Sequence, residues 1–134
     1  MAGKSINPES LFPSLASGFS QGVVASGKRT LYVSGQVAWD AQRRLVGGTD
    51  LEAQAECAFE NLATVVKSAG GSLDNVVSLR IYIVDYRSEQ AAVIGNLFMK
   101  YFNGAVKPAS TWIGVQALAH PDFLIEIEAT AVLD

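Results

Sequence analysis

The sequence has little of what several large classes of protein require. Its 134 residues include one cysteine, Cys57, and one histidine, His120. A single cysteine cannot form an intrachain disulfide, and these two residues are too few to ligate a structural zinc ion. A Ser-His-Asp hydrolase would depend on His120 alone, and the sequence places no serine beside it. We therefore expect no disulfide, no metal site and no triad of this kind.

Positive charge and long apolar runs are also scarce. Lys and Arg number 10 against 13 Asp and Glu, which gives a formal net charge of −3. Nucleic-acid-binding domains are usually basic, so we expect no nucleic-acid partner. No stretch approaches the roughly 20 apolar residues of a membrane helix, and the N-terminus has no signal-peptide pattern. The expectation is a cytoplasmic protein without a membrane partner.

The composition that remains is that of a folded domain. Hydrophobic residues make up 49% of the chain and charged residues 17%, which excludes a disordered polymer. The length suits one domain, because two would each be too small for a good core. We expect a single domain over residues 1–134, with an irregular N-terminal arm over residues 1–18.

Hydrophobic periodicity predicts the order β-β-α-β-α-β-β. Alternating or branched apolar residues predict five strands, over 19–25, 30–37, 76–85, 110–118 and 123–133. Apolar stripes predict two helices, over about 51–69, with Asp50 as N-cap, and over about 88–102. The first two strands could pair as a hairpin, and residues 119–122 read as a tight connection between the last two. The fold class is therefore α+β, with one sheet and both helices on one of its faces.

The predicted sheet has a second face that two helices cannot cover. A solvated face should be mostly polar, but this one carries aromatic and apolar residues among few charges. Such a composition is typical of subunit interfaces and ligand clefts, so we expect oligomerisation through this face. The residues that carry this expectation are Tyr32, Tyr82, Trp112 and Val132.

Four short motifs and the order of the elements resemble a known family. They are Gly18-Phe-Ser-Gln-Gly22, Tyr32-Val-Ser-Gly-Gln36, Pro108-Ala-Ser110 and Ile125-Glu-Ile-Glu-Ala129, set in the β-β-α-β-α-β-β order. Together they resemble the Rid, or reactive intermediate deaminase, family, also called YjgF and often labelled endoribonuclease L-PSP or translation inhibitor. The resemblance spans about residues 17 to 132.

This resemblance implies a chorismate-mutase-like fold and a homotrimer. The three sheets would face inward, and a small-molecule ligand would bind in each cleft between subunits. Deaminases of the family hydrolyse enamines and imines, such as 2-aminoacrylate, to the keto acid and ammonia, and they use no cofactor. The resemblance also implies that Glu126 positions the attacking water. It further implies that Ser34 and Gly35 line the ligand site.

At other positions the chain departs from the deaminase pattern. Deaminase members carry an arginine after Pro-Ala that binds the substrate carboxylate through both oxygens, but here the residue is Ser110. A motif tyrosine is replaced by Phe19, an asparagine of the second helix falls near Gly95, and a cysteine position holds Trp112. The chain thus resembles the arginine-lacking subgroups, and we expect weak deaminase activity on the usual substrates.

The sequence allows two roles for several of these residues. Glu126 and Glu128 share one face, so Glu126 is either a general base or part of a solvated or salt-bridged pair. Arg80, expected on that same face, either replaces the missing anion anchor or pairs with one of these two carboxylates. Trp112 either stacks on a flat ligand or packs an interface.

Three functions therefore stay open. The first is a cofactor-free hydrolase or deaminase-like enzyme acting on a small metabolite, with Glu126 as the catalytic residue. The second is a non-catalytic protein that binds a small molecule. The third is an endoribonuclease or translation inhibitor, which the acidic charge disfavours. In either small-molecule reading, the ligand-binding residues are Phe19, Ser34, Gly35, Arg80, Ser110 and Trp112.

Overall fold

The computed structural model describes residues 3–134, and a four-stranded mixed sheet organises them. Along the chain the strands are β1 (Gly3–Ile6), β2 (Gly22–Ala25), β3 (Arg29–Gln36), β4 (Val76–Val84), β5 (Ala109–Val115) and β6 (Ile125–Leu133). Helix α1 (Leu51–Ser68) follows β3, and helix α2 (Ala91–Tyr101) follows β4. Short 3-10 helices span Ser14–Ser17, Leu73–Asn75 and Ser88–Gln90.

The four strands of the main sheet lie in the order β3-β6-β4-β5. Strand β6 pairs antiparallel with both β3 and β4, whereas β4 and β5 are parallel. A parallel neighbour needs a crossover connection, and α2 provides it. Both helices cover one face of the sheet, so the predicted α+β architecture is confirmed.

The core lies between that face and the helices. Along β4, buried residues alternate with accessible ones, which is the pattern of a strand with one covered face. Asp50 caps α1 through a hydrogen bond that it accepts from the backbone of Glu52, as predicted. The large side chains with the least exposure are Phe59, Leu62, Leu79, Ile81, Ile83, Ile94, Phe98, Ile125 and Ile127.

One polar side chain of α1 is completely buried. The Gln54 amide nitrogen donates to the carbonyls of Gly48 (2.7 Å) and Asp122 (2.9 Å), and its oxygen accepts from the backbone N–H of Leu124 (2.9 Å). Asn61, on the same side of the helix, donates to the carbonyls of Val37 and Trp39. These two residues attach the loops after β3 and before β6 to the helix.

The N-terminal segment is more regular than an irregular arm over residues 1–18. Gly3–Ile6 pairs with β2 as a separate two-stranded sheet, and Ser14–Ser17 forms a 3-10 helix. Residues 1–2 of that predicted arm lie outside the described residues. The sequence signal was weak because a four-residue strand has too few alternations to detect.

The predicted hairpin of the first two strands and the predicted tight connection between the last two are both wrong. Strand β2 pairs with β1, while β3 pairs along its length with β6, whose Leu133 accepts from the backbone of Lys28. Strands β5 and β6 are separated by β4, so residues 116–124 form a longer connection. Turn residues such as Ser26-Gly27 indicate a change of direction, but they do not determine which strand becomes the partner.

Candidate functional site

The sheet face opposite the helices, called the open face here, gathers the charged residues predicted for the site. Arg80 pairs with Glu128 and Tyr82 with Glu126 in the antiparallel register of β4 and β6. Directly opposed residues project to the same side, so all four share this face, as predicted. On β3, β4 and β6, the residues of the open face include Tyr32, Ser78, Arg80, Tyr82, Glu126, Glu128 and Thr130.

Glu128 is the centre of a hydrogen-bonded group on the open face. The Tyr82 hydroxyl donates to its carboxylate, and a guanidinium nitrogen of Arg80 lies 3.8 Å from the same oxygen. Of the two ion pairs that the sequence allows for Arg80, the one with Glu128 is therefore formed. The hydrogen bond to Glu128 is the main cause that raises the pKa of Tyr82. A cavity of about 330 Å³ lies over this group, beside Tyr32, Ser78 and Thr130.

Glu126 lies next to this group, against the backbone of β3. A β-bulge interrupts the pairing of β3 with β6 between Val33 and Gln36, so Ser34 and Gly35 together occupy the irregular segment. A methyl group added to Gly35 would overlap the Glu126 carboxylate. A larger residue here would displace the Glu126 carboxylate, so glycine permits this close approach, and Ser34, Gly35 and Glu126 form one local group.

The environment of Glu126 favours its neutral form. Burial is the main cause that raises the pKa of this carboxyl, and the nearby negative charge of Glu128 adds to it. A carboxyl group with a raised pKa is a more effective proton acceptor near neutral pH, because its basicity is greater. The position therefore suits a general base that handles a water proton.

The raised pKa of Glu126 has a consequence for stability. The ionised form is disfavoured in the folded state, so stability falls as the pH rises through this pKa. We expect Glu126→Gln to raise the thermal midpoint at pH 7 by roughly 2 °C, because it removes a partly buried charge and the repulsion between that charge and Glu128. This gain should shrink below the usual Glu pKa of 4.5.

The measurement is thermal unfolding by circular dichroism between pH 4 and pH 8. Glu9→Gln, at an exposed position of the N-terminal segment, is the control and should show no gain. A midpoint for Glu126→Gln that is lower than that of the unmodified chain at pH 7 contradicts the assignment.

Trp112 and Ser110 do not lie on the open face, and this part of the sequence prediction is wrong. In the parallel register, Ser110 pairs with Leu79 and Trp112 with Ile81, both of which point toward the helices. Strand β5 is an edge strand whose residues are half-buried or exposed on both sides. Its apolar pattern therefore could not decide which face is the inner one, and an error of one residue reverses every side chain.

The helix-side position brings Trp112 into an aromatic group. Its indole N–H donates to the Ser110 hydroxyl at 3.0 Å, its ring centroid lies 5.5 Å from that of Phe98, and Phe19 lies 6.4 Å away. Beside it is a cavity of about 360 Å³, called the Trp112 pocket here. The pocket is lined by Ala16, Ser17, Ala91, Ala92, Gly95, Asn96, Met99 and Trp112.

Gly18 fixes one wall of this pocket. It ends the Ser14–Ser17 helix with φ of 93°, and a methyl group at this position would lie 3.0 Å from Phe98. A residue with a side chain would be strained here and would separate the 3-10 helix from α2. Gly18 thus allows the N-terminal segment to pack on α2 beside Trp112.

The predicted site residues accordingly form two groups that the single chain does not bring together. Ser34, Gly35, Arg80 and Glu126 lie toward β3, β6 and the open face, whereas Phe19, Ser110 and Trp112 lie at the β5 edge on the helix side. Strand β4 separates β5 from β6, which is a distance of about 10 Å between their backbones.

Two other residues that could carry chemistry lie elsewhere. His120 packs between Trp39 and Phe123, and its Nδ1 accepts from the backbone of Asp122. Burial is the main cause that raises the pKa of the Cys57 thiol on α1. Within residues 3–134, no three His, Cys, Asp or Glu side chains converge as metal ligands, and no helix could span a membrane.

The sequence reasoning missed most of the Trp112 pocket. Met99 and Ala92 lie off the apolar stripe of α2, Ala91 belongs to that stripe, and the sequence indicates no partner for Tyr82. Gly95 is the one position with a usable signal, because glycine is less favourable than alanine inside a helix.

Comparisons with known proteins give one consistent result. The family described as Endoribonuclease L-PSP matches residues 11–133. A Rid-family protein of unknown function from Yersinia pestis, YyfB, is similar at 46% identity, with 99% of this chain and 100% of that chain covered and a TM-score of 0.96. RidA from the Antarctic bacterium Psychrobacter is 32% identical over 85% of this chain and 87% of its own, with a TM-score of 0.69.

A member of the highly conserved YjgF family from Mycobacterium tuberculosis is 27% identical, with coverage of 98% and 99% and a TM-score of 0.65. The matched residues include both groups described above and all six strands except β1. On these grounds the chain belongs to the Endoribonuclease L-PSP family, which is the Rid/YjgF family.

Proposed function

We propose that this protein acts as a homotrimer that binds a small metabolite in clefts between its subunits. The single observation that carries the proposal is the separation of the candidate residues into two groups, at opposite sides of one sheet. A group at one edge of a chain can meet the complementary group only on another copy. In a cyclic oligomer every interface is the same, so each one brings the first group of one subunit against the second group of its neighbour.

The open face supports this assembly. The Tyr32 side chain is 80% exposed on it, in a sheet whose other face packs against the two helices. Tyrosine is favoured in interfaces, since its ring buries area while its hydroxyl keeps a hydrogen bond. The pairing of Arg80 with Glu128 leaves few uncompensated charges on this face, which lowers the cost of burying it.

In this cleft we assign Glu126 to proton transfer. Hydrolysis of a C=N bond needs a water molecule that loses a proton as its oxygen attacks the carbon. A carboxylate of raised pKa can take that proton and return it to the departing nitrogen. The Glu126 carboxylate lies against Gly35, where the absence of a side chain leaves room for it beside the backbone of β3.

The substrate class differs from that of the deaminases with an arginine. The Ser110 hydroxyl accepts the Trp112 indole N–H, and it carries no charge with which to bind a carboxylate. We therefore propose that 2-iminopropionate is a poor substrate and place the chain with the arginine-lacking members. The same observation favours a second candidate function, non-catalytic binding of a small molecule, in which the cleft recognises a ligand without hydrolysing it.

The assembly is tested by cross-linking that needs no substrate. In a Cys57→Ser background, we place one thiol at Ser34 and a second at Gly95, on opposite sides of the chain. A short bismaleimide should then link different chains and give covalent dimers and trimers in denaturing gels. The Ser34→Cys and Gly95→Cys single variants are the matched controls, and both should give fewer linked species. A double variant that stays at monomer mass contradicts the cleft.

A further inference from the structure

The Trp112 pocket differs in charge from the cavity on the open face. None of its eight lining residues is charged, whereas Arg80 and Glu128 line the open-face cavity. Its polar groups are the exposed side chains of Ser17 and Asn96, at the rim. A carboxylate placed against this lining would lose part of its hydration and would meet no cation among the lining residues, which is unfavourable. A neutral ligand would not suffer this loss.

Gly95 shows that packing within the chain does not account for the shape of the pocket. It lies inside α2, where glycine is less favourable than alanine because it has more backbone freedom to lose. A methyl group built at this position would meet no atom within 4 Å. No part of the chain therefore requires a glycine here, and the space in front of it is available to something outside the chain.

Trp112 offers the pocket a fixed aromatic surface. The indole N–H is already satisfied by Ser110, so the ring does not need a polar partner from a ligand. Edge-to-face contact with Phe98 and the nearby Phe19 ring restrict its orientation. A side chain held in this way can stack on a flat molecule with little further loss of conformational entropy.

We propose that the Trp112 pocket binds the planar, uncharged part of the ligand, so that this protein recognises neutral aromatic or conjugated molecules and not small carboxylates. The inference rests on the proposed function, because it names the ligand class of the same cleft. Trp112 provides the stacking surface, Gly95 provides the space, and Asn96 or Ser17 at the rim provides a neutral hydrogen bond.

The test compares two probes of the same shape and different charge, 2-naphthamide and 2-naphthoate. Binding to the full chain is measured by calorimetry, and the oligomer mass is measured in the same samples. We expect the amide to bind at least 10-fold more tightly than the carboxylate. Gly95→Leu should weaken amide binding at least 10-fold. Thr64→Leu, which adds the same side chain at an exposed position of α1, should leave it unchanged.

Gly95→Ala separates loss of the pocket from loss of the fold. The added methyl group should raise the thermal midpoint by about 2 °C, because alanine is the better helix former, while amide binding weakens. Stability and affinity thus move in opposite directions, which damage to the fold could not produce.

Three results would overturn the inference. The first is equal affinity for the amide and the carboxylate, which includes binding of neither. The second is amide binding that Gly95→Leu does not change. The third is an oligomer that binds neither probe and loses mass in Gly95→Leu, which would mean that a partner chain fills the pocket. Failure of the proposed function is a different result, a chain of monomer mass in dilute solution.

Discussion

A Ser110→Arg/Trp112→Cys variant is expected to hydrolyse 2-iminopropionate about 100-fold faster than the unmodified chain. The arginine would donate two charge-assisted hydrogen bonds, one to each oxygen of the substrate carboxylate. Such pairs contribute about 3 kcal/mol, which corresponds to a factor of roughly 100 in rate. The second change is needed because the Trp112 indole donates a hydrogen bond to Ser110 and its ring fills the space beside that residue.

The measurement is a coupled assay of 2-iminopropionate, generated in the cuvette from an amino acid. Ser26→Arg, which adds the same charge in the turn before β3, is the matched control and should give no increase. Adding Glu126→Gln to the active double variant should remove the gain, since the proton acceptor is then absent. Turnover by the unmodified chain at the rate of an arginine-bearing member would contradict the assignment of Ser110.

The second large effect is on stability. Gln54→Ala is expected to destabilise the fold by about 3 kcal/mol and lower the thermal midpoint by roughly 10 °C. The change removes three hydrogen bonds and leaves the Leu124 N–H and the Gly48 and Asp122 carbonyls without their partner. Because these bonds attach two loops to α1, the loss is larger than for one ordinary hydrogen bond.

Chemical denaturation of Gln54→Ala measures this effect directly. Gln116→Ala, at an exposed position after β5, is the matched control and should stay within about 0.5 kcal/mol of the unmodified chain. Gln54→Leu fills the same volume without hydrogen bonds, and it should also be destabilised. A loss below 1 kcal/mol in Gln54→Ala would show that water replaces these bonds at little cost.

The parts of the fold that could be predicted are those with long, one-sided patterns. Helix α1 has 18 residues, a clear apolar stripe and an acidic N-cap, so its start at Leu51 could be predicted. Strand β4 combines branched residues with strict alternation, and it also supports the placement of Arg80 and Tyr82 on one face. In both elements, local chemistry and burial give the same answer.

The parts that could not be predicted depend on contacts between distant segments. Gln54 lies on the polar side of the α1 pattern and yet is completely buried, because loop carbonyls from elsewhere satisfy it. The direction of Trp112 follows from the register of β5 against β4, which local alternation does not encode. The bulge at Ser34-Gly35 also has no sequence signal beyond one glycine.

Ser20 hydrogen-bonds the N-terminal segment to the segment that begins the edge strand β5. Its backbone donates to Pro108, its hydroxyl donates to Lys107, and it forms a bridge with Ala109 at the start of β5. An uncovered edge strand can recruit strands from other molecules, so this bridge also protects the protein against aggregation. The same segment, through Ala16 and Ser17, forms one wall of the Trp112 pocket. Ligand recognition and protection of the edge strand therefore depend on the same short segment, so a substitution there would affect both.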